Sequence, residues 1–130
     1  MDLSRLEPGH VLVDEAMTIS AAACAAYRAA VEDETPQHLL NDVVPCMAVA
    51  AKALAAVLRA IDLPAGTVHT SQELEFAATV APGSALHAKA TIAQNSVRRG
   101  TRFIAVDFAV TADGDAAVRG RTSLAIAEAA

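Results

Sequence analysis

The sequence predicts an α+β domain in which an antiparallel sheet packs on one long helix. Between residues 45 and 61, apolar side chains recur at the three- and four-residue spacing of a buried helix. After residue 66 the chain changes to four stretches of strand character separated by turn signals. With 130 residues, of which 54% are hydrophobic, the chain can form one core. We therefore expect a single domain over residues 1–130 whose sheet packs on the helix.

The first third of the chain predicts a short strand and a small helix. Val11–Val13 favours a strand, and Ser20 is a plausible N-cap for an alanine-rich helix over Ala21–Val31. The polar segment Glu32–His38 cannot continue this helix, because Pro36 lacks an amide hydrogen and disfavours the helical conformation of the residue before it. A polar turn is expected there.

The longest predicted helix starts near Pro45, which suits an early helical position, and ends near Asp62–Gly66. Alanines fill much of it and would let a sheet approach closely, so we expect a helix covered by sheet on most sides. Its periodic apolar residues are Met47, Ala50, Leu54, Val57, Leu58 and Ile61.

The remaining chain predicts an antiparallel meander. The expected strands are Val68–Val80, Ala85–Asn95, Arg102–Ala112 and Ala116–Ile126. Turn signals separate them at Ala81–Ser84, Arg98–Thr101 and Ala112–Asp115. Alternation is clear in the third of these strands, whose helix-facing residues would be Ile104, Val106, Phe108 and Val110.

Composition excludes several classes of function. A net charge of −5 and a pI near 5.2 argue against a nucleic-acid partner. No secretory signal is evident, and the apolar stretch Val43–Ile61 is interrupted by Lys52 and Arg59, so no membrane span is expected. Cys24 and Cys46 lack metal-ligand spacing and are interpreted as small hydrophobic residues. We expect a cytoplasmic protein with no metal or cofactor.

Charged residues in the strand region have two interpretations. Arg98, Arg99 and Arg102 form a basic cluster that is typical of a solvated hairpin tip but could also contact the phosphates of a CoA or phosphopantetheine carrier. Glu73 and Glu75 alternate along one predicted strand and are expected to face solvent.

One hexapeptide carries a family resemblance. The segment Asp33-Glu34-Thr35-Pro36-Gln37-His38 matches the signature Asp-x-Asn-Pro-x-His at Asp33, Pro36 and His38, and departs from it at Thr35. It follows a Leu6–His10 opening that is also similar. The chain thus resembles the MaoC-like (R)-specific enoyl-CoA hydratases and dehydratases, which have the hotdog fold.

Further segments extend this resemblance over Leu6–Ile126. Phe76–Ser84 is similar to the family's Phe-x-x-Pro-Val-x-Pro-Gly-Asp stretch, and Arg98–Phe103 is similar to its last hairpin. The resemblance implies a hotdog fold, an antiparallel sheet wrapped around a long central helix over Pro45–Ile61. It also implies assembly into at least a homodimer.

The resemblance implies a set of site residues. Asp33 and His38 would be the acid/base pair that hydrates an enoyl thioester, bound to CoA or to a carrier protein. The backbone amide of Cys46 or Met47, at the start of the central helix, would stabilise the thioester oxygen. Thr35 stands where the family has asparagine and would supply some of the hydrogen bonds of that residue.

Two departures from the family keep other functions open. The segment between His38 and the central helix is much shorter than in the family, and Val44–Met47 replaces the usual Ala-His-Gly-Met, with Cys46 at the glycine position. These changes allow a thioesterase or a polyketide-type dehydratase or cyclase on the same scaffold. A non-catalytic hotdog subunit that completes the site of a partner is a further alternative.

Overall fold

The computed structural model of the protein describes residues 2–34 and 43–128. Its sheet has five strands in the order β1-β3-β4-β5-β2, and each neighbouring pair is antiparallel. The elements in chain order are a 3-10 helix Leu3–Arg5, β1 Val11–Met17, α1 Ala21–Ala30, α2 Cys46–Ala60, β2 Val68–Phe76, β3 Leu86–Arg98, β4 Thr101–Ala112 and β5 Asp115–Ala127. The helix α2 packs against the sheet, so the predicted hotdog fold is confirmed.

Two tight turns fix the register of the long meander β3–β4–β5. Arg99 and Gly100 join β3 to β4 with φ angles of 52° and 76°, and Asp113 and Gly114 join β4 to β5 with φ angles of 51° and 88°. Two central residues with positive φ define the hairpin turn whose twist matches that of the paired strands. Both turns lie where the sequence predicts them.

The core lies between α2 and one face of the sheet. On β4 the predicted inward residues Ile104, Val106, Phe108 and Val110 are buried. The inward face of α2 consists mainly of small residues, namely Ala48, Val49, Ala50, Ala53, Ala56 and Val57. Small side chains let the helix approach the sheet closely, which explains how a core with few aromatic residues is filled.

Two of the periodic apolar residues predicted for this helix do not lie in the core. Met47 and Leu58 are 48% and 41% exposed, because the alanine-rich face rather than the face with the larger side chains turns toward the sheet. The apolar residues of this helix extend almost all round, so their spacing alone could not select the buried face.

The strand β2 ends at Phe76, four residues before the predicted end at Val80. The Ala77 and Ala78 N–H groups both donate to the carbonyl of Ala117, at 2.8 and 3.4 Å, which ends the regular ladder with β5. The chain then crosses toward α2, where the carbonyl of Val80 accepts from the N–H of Val44 at 2.7 Å. This stretch therefore connects the sheet to the amino end of α2.

A single glycine on β5 lets two strands and a ring pack closely. A Cβ atom added at Gly120 would lie 2.4 Å from the carbonyl oxygen of Glu73 and 2.9 Å from the ring of Phe108. Gly120 pairs with Leu74 on β2 and with Phe108 on β4. The ring of Phe108 thus occupies the space that a side chain at position 120 would need.

Candidate active site

A cleft of about 510 Å³ opens where the end of α1, the start of α2 and the end of β2 meet. Most of the wall that the described residues form is apolar, and their ionisable side chains there are an arginine, an aspartate and a thiol. The lining residues are Arg28, Asp33, Val43, Val44, Pro45, Cys46, Val49, Phe76, Ala77, Ala78, Thr79, Val80 and Val118. An apolar cleft with a few convergent polar groups is typical of a ligand site.

The predicted carboxylate, Asp33, is placed in this cleft by the end of α1. Ser20 caps the other end of that helix, where its Oγ accepts from the N–H of Ala23 at 3.1 Å. At the carboxyl end Glu32 has a φ angle of 57°, its N–H donates to the carbonyl of Ala29, and the Asp33 N–H donates to the carbonyl of Arg28 at 2.9 Å. This pair of bonds is a Schellman motif, which fixes the backbone of Asp33 relative to α1.

The predicted oxyanion donors lie at the amino end of α2. Pro45 is the N-cap and supplies no side-chain hydrogen bond, while its carbonyl accepts from Ala48 and Val49. The N–H groups of Cys46 and Met47 meet no acceptor within residues 2–34 and 43–128. Cys46 is exposed and lines the cleft, whereas Met47 does not line it. Of the two predicted donors, only Cys46 lines the cleft that Asp33 also lines.

Thr35 and His38 lie outside the described residues, so their roles stay predictions. Asp33 and Val43, which lie on either side of residues 35–42 in the sequence, both line the cleft. Within the described ranges no group of three or more His, Cys, Asp or Glu side chains is arranged to hold a metal ion. Nor does any helix in those ranges have the length and apolar character needed to cross a bilayer.

Sequence reasoning missed Arg28, which lines the cleft and bonds across it. Its Nη2 donates to the carbonyl of Val43 at 2.6 Å, and its Nε is buried with no hydrogen-bond partner in the part of the chain that the structure describes. Arg28 is the basic residue of the last turn of α1, five positions before Asp33. That placement was the available signal, although a cation at a helix end is ordinarily explained by the helix dipole.

A second cavity, of about 690 Å³, lies on the sheet face that carries Asp107, Arg119 and Arg121. Arg119 bonds both carboxylate oxygens of Glu75 at 2.9 and 3.0 Å, and Arg121 bonds those of Asp107 at 2.6 and 3.0 Å. The hydrogen bond from Arg121 to Asp107, with the attraction of that carboxylate, raises the pKa of the guanidinium. Glu73 and Glu75 are exposed, as the sequence predicts.

The predicted basic cluster is divided by the structure. Arg98 and Arg99 are exposed, and the guanidinium carbon of Arg98 lies 5.7 Å from the centre of the Phe103 ring. Arg102, however, is largely buried, where it donates to Asn95 at 2.8 Å and pairs with Glu128. The interpretation of Arg102 as part of a solvated hairpin tip is therefore wrong, because its side chain is 14% exposed and bonds Asn95 and Glu128. A contact of the cluster with a phosphate stays a prediction.

No protein-family model and no curated protein matches the sequence. Solved structures do match. The chain is similar to an (R)-hydratase from A. caviae involved in PHA biosynthesis, with 24% identity and a TM-score of 0.74 over 94% of this chain and 98% of that one. A MaoC-like dehydratase from Rhodospirillum rubrum has 15% identity and a TM-score of 0.79 over 100% and 99% of the two chains.

A third similar structure is the C-terminally truncated HadBC (3R-hydroxyacyl-ACP dehydratase) complex from Mycobacterium tuberculosis. It has 22% identity and a TM-score of 0.73, covering 91% of this chain and 96% of that chain. At such identities the likeness concerns the fold. It confirms that the chain has the fold of the MaoC-like dehydratases and (R)-hydratases that its motifs resemble.

Proposed function

We propose that the protein catalyses the reversible hydration of an enoyl thioester, or the dehydration of a 3-hydroxyacyl thioester, with Asp33 and His38 as the acid/base pair. The observation that carries this proposal is that Asp33 and the amino end of α2 share one mainly apolar cleft. This sharing supports a role for the Asp33 carboxylate in activating water and for the Cys46 N–H in stabilising negative charge on the thioester oxygen.

The chemistry assigns a task to each group. Hydration adds water across a double bond conjugated to a thioester: the oxygen bonds to C3, and a proton is delivered to C2. Asp33 and His38 would hold the water and exchange its protons with the substrate. As C3 is attacked, charge moves to the thioester oxygen, and the N–H of Cys46 would stabilise that oxygen at the positive end of the helix dipole. The reaction consists of addition of the water oxygen to C3 and of proton transfers, with no net oxidation or reduction, so it requires no redox cofactor.

The walls of the cleft suit an acyl chain. Phe76, Val43 and Val118 line it together with the alanines at 77 and 78. These side chains offer dispersion contacts and no hydrogen bonds, so transfer of an aliphatic chain from water to this wall is favourable. The similar structures include an (R)-hydratase and a 3-hydroxyacyl-ACP dehydratase, which supports the same class of substrate. The proposed substrate is therefore an acyl thioester of CoA or of a carrier protein.

A homodimer or higher homo-oligomer is part of the proposal. One similar structure is a complex of HadBC, and another is the ChsH1-ChsH2 complex from Mycobacterium tuberculosis, which supports assembly between hotdog subunits. Cys24 and Cys46 are free thiols, which is consistent with the proposed cytoplasmic location.

The test measures loss of the enoyl-thioester absorbance with crotonyl-CoA and a longer enoyl-CoA. We expect hydration by the unmodified protein and a decrease of about 10²- to 10⁴-fold in kcat for Asp33→Asn and for His38→Asn, since each removes a proton-transfer group. Circular dichroism should show that both variants remain folded.

Asp107→Asn is the matched control, because it makes the same change in the other cavity. We expect its activity to stay within about twofold of the unmodified protein. A protein inert toward both substrates would contradict CoA hydration, and turnover of the same acyl group only on a carrier protein or only with a second hotdog subunit would then identify the alternative. Full activity of Asp33→Asn would overturn the assignment of the pair.

A further inference from the structure

Arg28 contacts both walls of the cleft. Its backbone carbonyl accepts from the N–H of Asp33 at 2.9 Å, at the end of the Schellman motif. Its side chain reaches Val43, which also lines the cleft, where Nη2 donates to the carbonyl at 2.6 Å. One residue thus connects the turn that carries the carboxylate with the segment that leads into α2.

The segment that receives this bond sets the position of the α2 amino end. Val43 is followed by Val44, which is 2% exposed and whose N–H donates to the carbonyl of Val80 at 2.7 Å. Pro45, the N-cap of α2, and then Cys46 come next. The leading segment is therefore bonded on one side to α1 through Arg28 and on the other side to the stretch that follows β2.

The side chain of Arg28 meets a requirement that an apolar residue could not meet. Its Nε is buried without a hydrogen-bond partner in the described part of the chain, an arrangement that costs free energy and is uncommon in folded proteins. If position 28 only filled space, methionine would do so without that penalty. Among the described residues, Val43 is the one whose carbonyl accepts a hydrogen bond from the guanidinium, and this bond is a reason for an arginine at this position.

We propose that Arg28 is a positioning residue that sets the separation between the Asp33 carboxylate and the Cys46 amide. This inference rests on the proposed function, in which these two groups act on opposite ends of one conjugated thioester. Small displacements of reacting groups have large effects on rate, so loss of the connection should appear in kcat more than in KM.

The kinetic test compares Arg28→Met, Arg28→Lys and the control Arg59→Met, which removes an exposed arginine from the last turn of α2. We expect a 10- to 100-fold decrease in kcat for Arg28→Met with KM changed less than threefold, and a smaller decrease for Arg28→Lys, which can still donate to Val43. Arg59→Met should stay within twofold. A tenfold rise in KM at unchanged kcat would overturn positioning in favour of substrate binding, and an unchanged kcat would overturn any role in turnover.

A second measurement requires no activity and separates this inference from the proposed function. Cys46 is exposed at the cleft, whereas Cys24 is 1% exposed, so an aromatic disulfide reagent should label Cys46 first. We expect at least a threefold faster labelling of Cys46 in Arg28→Met, a smaller change in Arg28→Lys and none in Arg59→Met. Equal rates in all four proteins would overturn the inference even if hydration is observed. Simultaneous exposure of Cys24 would also overturn it, because general unfolding rather than a local displacement would then explain the kinetics.

Discussion

The cleft and the cavity on the outer face of the sheet differ in how their polar groups are satisfied. The cavity on the outer face of the sheet is the larger, at about 690 Å³ against 510 Å³, and carries more charge. Its two arginines, Arg119 and Arg121, each bond two carboxylate oxygens of a neighbouring strand. In the cleft, the Arg28 Nε and the Cys46 amide meet no acceptor in residues 2–34 and 43–128.

This difference shows why size and charge are poor guides to the functional cavity. A bidentate arginine–carboxylate pair uses its donors on the protein itself, so little recognition capacity remains for a ligand. A buried donor such as the Arg28 Nε costs free energy while it lacks an acceptor, and the Cys46 N–H has no acceptor among the described residues that would compete with a substrate oxygen. The cleft is therefore the better candidate for catalysis, although it is the smaller of the two.

The largest expected effect comes from filling each cavity in turn. Ala78 lines the cleft and Ala109 lines the outer cavity, and both are exposed, so a tryptophan can be accommodated at either site without disrupting the core. We expect Ala78→Trp to lower kcat/KM for enoyl-CoA hydration by about tenfold or more, which corresponds to ~1.4 kcal/mol of transition-state stabilisation. Ala109→Trp should change it by less than about twofold.

The longer enoyl-CoA should be affected more than crotonyl-CoA, because its chain needs more of the cleft. Steady-state kinetics on both substrates measure this. An equal decrease in the two tryptophan variants would break the distinction between the cavities, and a decrease confined to Ala109→Trp would reverse it.

A smaller effect, on stability rather than on rate, is expected at Gly120. An added methyl group meets the Glu73 carbonyl oxygen at 2.4 Å and the Phe108 ring at 2.9 Å, so the strands must separate. We expect Gly120→Ala to lower the free energy of unfolding by about 1–3 kcal/mol, measured by urea denaturation. Specific activity of the folded fraction should change little, which would indicate that this part of the sheet contributes to stability and not to catalysis.

Phe108→Leu tests whether the clash with the Phe108 ring causes this loss of stability. Removing the ring relieves part of the clash, so the losses of the single variants should be less than additive in the double variant. Strict additivity would show that the ring does not determine the need for glycine at this position.

The smallest effect is expected for the exposed ion pairs of the outer cavity. Glu75 and Arg119 have side chains that are 62% and 70% exposed. We expect Glu75→Gln to lower the free energy of unfolding by about 0.5 kcal/mol or less at low salt, and by less still in 1 M NaCl, because exposed pairs are weak and screened. Urea denaturation at the two salt concentrations measures both values. A loss above about 1.5 kcal/mol would show that the pair stabilises the fold more than an exposed ion pair ordinarily does.

Much of the fold could be predicted because it depends on local chemistry. The Ser20 N-cap follows from a side chain that accepts a hydrogen bond from a backbone N–H of the same turn. The Asp113–Gly114 turn follows from two residue types that tolerate a positive φ angle. The inward residues of β4 follow from a period of two. The hexapeptide that begins at Asp33 singles out this residue through its resemblance to a family signature, and Asp33 lines the cleft; its role stays a prediction.

The errors arose where contacts between distant parts of the chain determine the structure. The strand β2 ends where the carbonyl of Ala117 accepts hydrogen bonds from two N–H groups, which interrupts the regular pairing with β5. No residue near Phe76 indicates this end. Exposure of Met47 depends on which face of an apolar helix meets the sheet. The role of Arg28 depends on a bond to Val43 across 15 positions of sequence. None of these features has a pattern that can be read locally.

The short turns of the meander have a consequence for the order of folding. Strands β3, β4 and β5 are joined by two-residue turns, so their pairing closes small loops, whereas β1 pairs Val11 with Thr91 and β2 pairs Val68 with Ala125 across long loops. Local contacts cost less entropy and form faster, so the meander is expected to form early and the two outer strands later. The cleft needs the end of β2 and both helices, and it therefore exists only in the completed fold. A ligand of the cleft should accordingly slow unfolding without accelerating the early steps of folding.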